Sequence, residues 1–257
     1  VSSPTPAPDS NPAPDSNPVP KTNPAPDSRP ASPASPSAPL SLTERRKAET
    51  RMVIARAAAG LFVKHGLRAT RAEDIAQSAG IAPRTFYRYF ATKEEAVAPL
   101  YAAGAQRWAE AVRAAPAALS VPEALEHGLR HTLTPGVGVS INSWTWVRTL
   151  IGMAESSPAL RRVWAEVCQA AERTLGEILL ERLTKGGDGT DPAPAPSPPS
   201  PELRFAAAVA SAAVRTAVEG WAAEEAQGSP AAGPTELALR NLRALRDFPW
   251  GELEPST

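Results

Sequence analysis

The chain has 257 residues, with 27 Lys and Arg balancing 27 Asp and Glu, and a single cysteine. One thiol cannot close an internal disulfide, which excludes a disulfide-stapled fold and fits a reducing compartment. The longest uncharged apolar run, Phe205 to Val214, is too short to cross a bilayer, and the first residues lack a basic-then-apolar signal pattern; a cytoplasmic protein without membrane contact is expected.

The 29 prolines are unevenly spread, with 13 in residues 1–39 and six in residues 191–201. Residues 7–30 read APDSNP, APDSNP, VPKTNP and APDSRP, and a Ser/Pro/Ala run follows. Prolines this dense deny the backbone its donors, and without apolar side chains nothing offsets the ordering entropy, so residues 1–39 are expected to be a disordered arm. Charge is segregated too: residues 1–39 carry −1, residues 40–104 carry +5 and residues 105–257 carry −4. A short basic unit ahead of a larger acidic one is the pattern of an anion-binding head on a separate body.

Helix signals follow in chain order, and no stretch reads as a convincing strand. Ser41 with Glu44, Thr70 with Glu73, and Thr92 with Glu95 each match the capping box, placing three helix starts within about fifty residues. The first helix should run to about Lys64, with Ile54, Ala58, Leu61 and Phe62 on one face and Gly66 as its stop. The second is short and ends before Gly80; the third opens with Pro83 and ends near Phe90. A fourth helix from Lys93 to about Ala115 contains Pro99, which should bend it or loosen its first turns. Ser120, Ser157, Ser200 and Thr235 mark later starts, and a Trp/Leu-rich stretch from Asn142 to Met153 is helical in pattern. The expectation is an all-α chain of about nine helices. Its parts are a helix-turn-helix head over residues 40–91, a helical body over 92–250 with a flexible loop at 184–200, and a tail at 251–257.

At ~100° per residue, with Phe86 facing inward, Phe90 lies beside it while Arg84 and Arg88 fall on the opposite side. Tyr87 and Thr85 flank that outward face. A helix that buries two Phe and projects two Arg suits a major groove, where the guanidinium fork matches the two acceptors of guanine.

The run from Thr70 to Glu95, with Asp74-Ile-Ala, Gly80, Thr85-Phe-Tyr-Arg-Tyr-Phe and Lys93-Glu in register, resembles the tetracycline-repressor-like (TetR) family of transcriptional regulators. The likeness covers roughly residues 43–98, and beyond it only the helical architecture matches. It implies an all-α homodimer whose third helix reads a near-palindromic operator in double-stranded DNA. Carried over by position, it puts Pro83, Arg84 and Thr85 at the groove, Tyr87, Tyr89 and Lys93 on phosphates, and Thr70 and Arg71 on the backbone. Ala82 departs from the family's usual Ser or Thr and leaves that helix without a side-chain cap.

In the body, Trp108, Trp144, Trp146, Met153, Trp164 and Phe205 either line a ligand pocket or fill a core, since both have this composition. Arg148 is either the group that orients an anionic ligand or an ion-paired surface residue. A pocket would take a largely apolar small-molecule effector, with an acidic group near Arg148. Ala206, Ala210, Ala213, Val214, Ala217, Val218 and Trp221, with Leu237, Leu242 and Leu245 of the last helix, form a face of small and apolar residues. Such a face fits a four-helix dimer seam, which the resemblance also implies; packing within one chain is the alternative.

Glu123, His127 and His131 stack at helical spacing, but with no fourth ligand nearby they read as a solvated face, so no metal is expected. The Gly136-Val-Gly138 and Lys185 to Gly189 runs lack dinucleotide and phosphate-loop spacing, and there is no nucleophile elbow. Neither an enzyme nor a cofactor is expected. The function expected is a ligand-responsive DNA-binding regulator, a repressor released by a small molecule; the alternatives are a constitutive regulator or activator without ligand, and a helical protein-interaction module.

Overall fold

The computed structural model describes residues 41–134, 141–185, 198–226 and 233–250. The repeat arm, most of the loop at 184–200, the Gly136-Val-Gly138 run and the tail lie outside the described residues. Among them the regular structure is helical, without strands: α1 (Leu42–His65), α2 (Ala72–Ser78), α3 (Pro83–Tyr89), a 3-10 turn (Glu95–Val97), α4 (Ala98–Arg113), α5 (Val121–Thr132), α6 (Ile141–Ser156), α7 (Pro158–Lys185), α8 (Pro201–Ala226) and α9 (Pro234–Ala244).

Local chemistry explains most of the boundaries. Ser41 Oγ accepts the Glu44 amide at 3.2 Å at the start of α1, and Gly66, at φ 80, stops it. Ser120 shares the Glu123 carboxylate at 2.7 and 2.9 Å, and the Ser157 and Ser200 hydroxyls accept the Leu160 and Leu203 amides at the starts of α7 and α8. Hydrogen bonds from Ser120 hold the Glu123 carboxyl below its usual range, so it remains an ionised cap.

Three expected starts fall elsewhere. Helix α2 begins after Arg71, whose amide donates to Asp74 Oδ2 at 2.8 Å, while the Thr70 hydroxyl turns back to Gly66 O at 2.9 Å. Helix α9 begins at Pro234, capped by Gly233 rather than Thr235. Thr92 caps only the 3-10 turn, so α4 starts at Ala98 and places Pro99 in its first turn. A proline there lacks an amide that no helix bond would use, and of the two effects expected of Pro99 it is the loosened start that is seen, as a 3-10 turn ahead of α4.

The described residues belong to one compact unit with two continuous cores. One joins α1, α2 and α3 to the start of α4, the middle of α6 and the start of α7, around Ile54, Phe62, Ile75, Phe86, Leu150 and Leu160. The other joins α4, α5, α7, α8 and α9 around Leu125, Leu129, Ile178 and Leu203. Burying such side chains stabilises each core by roughly 1.5–3 kcal/mol per residue. Among the described residues no helix is long and apolar enough to cross a membrane.

Candidate functional site

Helices α2 and α3 meet across Gly80, whose φ of 69 is a left-handed conformation that a side chain would strain. Phe86 and Phe90 anchor α3 inward, and Pro83, Arg84, Tyr87 and Arg88 stand exposed. Thr85 and Tyr89 are half-buried, and the Arg88 guanidinium lies 5.5 Å from the Tyr89 ring. The end of α3 is held by Arg51 of α1, which donates to Tyr89 O at 3.3 Å and stacks over Phe90 at 4.7 Å. The Tyr87 phenol, 52% exposed, donates to Glu73 Oε1 at 3.2 Å. Desolvation of its ring and the Glu73 carboxylate raise the phenol above its ordinary value, so it stays a hydrogen-bond donor.

Two residues expected on the DNA backbone have intramolecular partners. Thr70 is 2% exposed, and its hydroxyl is spent on Gly66 O. Lys93 Nζ donates to Leu67 O at 2.7 Å and Thr70 O at 2.8 Å, tying the turn between α1 and α2 to the segment that leads into α4. Both have buried or half-buried carbonyl acceptors that water reaches poorly, which is the physical reason a cation sits there. Arg71 remains exposed beside them.

The body contains a cavity of about 140 Å³ between α4, α6, α7 and α8, open to solvent at one edge. Leu100, Tyr101, Gly104 and Trp108 of α4 form one wall, Trp144, Val147 and Ile151 of α6 a second, Trp164, Val167 and Cys168 of α7 a third, and Ser211, Val214 and Val218 of α8 close it. Thr132 and Leu133, at the end of α5, complete it, and exposed Arg107 stands at its edge. The Trp164 indole donates to Glu219 Oε1 at 2.7 Å, and Trp144 meets Trp221 edge-on at 5.5 Å between centroids. Burial pushes the Cys168 thiol up to about 12, against the pull of Arg215, so the group facing this space is a neutral thiol.

Of the residues expected in a pocket, Trp108, Trp144 and Trp164 line this cavity and four do not. Trp146 turns to the head, where its ring would stand 3.8 Å from a Cβ placed at Gly60 of α1, and Met153 packs on the same core. Phe205 is 61% exposed and leans on Phe248 at 5.7 Å. Arg148 donates to Trp221 O at 2.8 Å and lies 4.6 Å over the Trp221 ring, so its charge serves the end of α8 rather than the cavity.

The face expected as a dimer seam is enclosed by the chain itself. Ala206, Ala210, Ala217, Val218, Trp221, Leu237 and Leu242 are buried, and Ala213, Val214 and Leu245 pack against the same cores. Small residues do let helices approach closely, but here the neighbours are α7, α9 and α6 of one chain.

Sequence reasoning did not find Arg182 of α7. Its guanidinium donates to Ala115 O at 2.7 Å, Pro116 O at 3.0 Å, and Val112 O and Leu119 O at 3.2 Å, capturing the carbonyls where α4 turns into α5. Those partners lie more than sixty residues away in sequence, where periodicity carries no signal.

Residues 54–98 match the family described as bacterial regulatory proteins, tetR family. The chain is similar to the HTH-type transcriptional regulator TcmR of Streptomyces glaucescens, 42% identical over 62 residues that cover 24% of this chain and 27% of that protein. The match thus spans about a quarter of the curated relative's length. Among solved structures, Thermus thermophilus FadR, a TetR-family repressor in complex with lauroyl-CoA, is 24% identical with a TM-score of 0.49, covering 76% of this chain and 92% of that one. Salmonella enterica GusR is 17% identical with a TM-score of 0.46, covering 80% and 95%.

Proposed function

We propose that this chain, whose residues 54–98 match the tetR family of bacterial regulatory proteins, is a transcriptional repressor that binds a near-palindromic operator as a homodimer and is released by a small, largely apolar effector. In this reading residues 40–91 are the DNA-binding domain, residues 92–250 hold the effector and the dimer contact, and the protein works in the cytoplasm, where its DNA is. Arg84 and Arg88 read base edges from the groove, and Tyr87 and Arg71 meet phosphates.

The observation that carries the reading is the double use of α6. Trp144, Val147 and Ile151 wall the cavity, while Trp146 and Leu150 pack toward α1 and the head. Helix α4 is tied to it, since the Tyr101 phenol donates to Leu150 O at 3.1 Å. A molecule seated in the cavity therefore presses on a helix that supports the head, and close-packed helices respond by shifting as units.

Two half-sites on DNA require two heads. With the small-residue face of α8 enclosed, the partner is proposed to meet its outer face, where Phe205, Ala208, Ala212 and Thr216 follow at helical spacing and are exposed or half-exposed.

The test is a gel shift with labelled duplexes from upstream of the protein's own gene, with and without a small-molecule extract of its cells. A shift abolished by extract supports the reading. A shift indifferent to extract supports a constitutive regulator, and no shift on any genomic duplex overturns DNA reading altogether.

A further inference from the structure

The polar groups around the cavity divide sharply by whether a protein atom satisfies them. Tyr101 donates to Leu150 O, Thr132 to Gly128 O, Trp108 to Leu125 O and Trp164 to Glu219. Trp144 Nε1 and Ser211 Oγ are buried and, among the described residues, have no hydrogen-bond partner. Trp144 is 8% exposed, and both residues line the cavity from facing helices, α6 and α8. A buried indole N–H without an acceptor carries a desolvation penalty that an incoming acceptor would relieve. Charge is distributed just as unevenly. The one lining residue with a formal charge is Arg107, exposed at the edge, and Arg148 is directed to Trp221.

We propose that the effector of this cavity is an uncharged, flat, largely aromatic molecule whose carbonyl or ether oxygen accepts from Trp144 Nε1 and which carries a second polar atom for Ser211 Oγ. The proposal rests on the effector reading above and narrows it. The rings of Tyr101, Trp108, Trp144 and Trp164 offer stacking and edge contacts to a planar ring system. A carboxylate or phosphate seated between Trp144 and Ser211 would have cations only at a distance, Arg107 at the exposed edge and Arg215 behind Cys168, and the two neutral donors cannot offset its desolvation. This replaces the acidic ligand expected near Arg148.

Three shape-matched probes test it by calorimetric titration of the full chain at neutral pH: 2-acetylnaphthalene, with a neutral acceptor; 2-naphthoate, with a charge; and 2-isopropylnaphthalene, with neither. The ketone should bind about ten-fold tighter than the hydrocarbon, the scale of one satisfied buried donor, and the carboxylate weakest of the three. Trp144→Phe should remove most of the ketone's advantage while hydrocarbon binding persists. Should that variant fail to fold, Ser211→Ala provides the same comparison with a hydroxyl-bearing probe, 6-acetyl-2-naphthol, which should lose affinity toward that of the plain ketone. Tighter binding of the carboxylate, or a ketone advantage untouched by both substitutions, overturns the proposal and leaves the effector reading standing. Failure of all three probes to bind overturns the proposal, while the effector reading is decided separately by whether extract abolishes the gel shift.

Discussion

Replacing Lys93 with Met removes two charge-assisted hydrogen bonds while keeping the unbranched apolar stem of the side chain. Its ammonium lies 2.7 Å from Leu67 O and 2.8 Å from Thr70 O. Bonds from a charged donor contribute about 1.5–3 kcal/mol each when well buried. Lys93 is half-buried, so solvent screening and rehydration reduce the net loss for the pair to about 2 kcal/mol. For a domain of this size that lowers the melting temperature by about 4–8 °C. Thermal unfolding followed by circular dichroism reads the first effect, and operator affinity against salt reads the second. If Lys93 acts as a brace between two backbone carbonyls and not as a phosphate contact, the Lys93→Met protein should melt lower with an unchanged salt slope. An unchanged melting temperature with a slope shallower by about 0.9 per protomer would identify a phosphate contact instead and refute the reasoning.

Arg84→Ala should cost about 1–3 kcal/mol on the cognate operator and much less on random DNA, checked by competition gel shifts; equal losses on both would remove it from base reading. Arg182→Ala removes the guanidinium donor shared by four carbonyls at the α4 to α5 turn, of which Val112 O and Pro116 O keep a backbone amide, and should destabilise the chain by about 1–3 kcal/mol in urea unfolding, with no change in salt dependence on DNA. The Cys168 thiol is raised from 9.0 to about 12 by burial. Between those values the folded chain holds a proton that the unfolded chain has lost, so its contribution to stability, complete below about pH 9, declines as pH rises toward 12. Urea midpoints should fall across the accessible part of that window, and Cys168→Ser should flatten part of the fall.

Local chemistry was legible in the sequence, and distant pairing was not. Ser41, Ser157 and Ser200 cap their helices because a hydroxyl needs only an amide three residues on, and Ser120 donates its amide and hydroxyl to the Glu123 carboxylate at the same spacing. Thr70 misled because two candidate boxes overlap, and Asp74 with Arg71 prevailed once the threonine found Gly66 O. The inward and outward faces of α3 follow from helical angle alone, and Phe86 and Arg84 lie where that angle puts them. Lys93, Arg182 and the Trp164–Glu219 pair act across 23 to 70 residues, where no spacing rule applies. The alanine face of α8 was ambiguous for a different reason. Close approach demands small residues whether the neighbour is the same chain or another, and here the neighbours are its own helices.

The central claim is that occupancy of the cavity is coupled to the head through α6. Fluorescence anisotropy of a labelled operator duplex, with and without saturating 2-acetylnaphthalene, tests it together with the reverse titration of that ketone against free and DNA-bound protein. The account predicts that each weakens the other by the same factor, within the ~5–150-fold range of such couplings, because linkage is reciprocal. Simultaneous binding of duplex and ketone at undiminished affinity would contradict it.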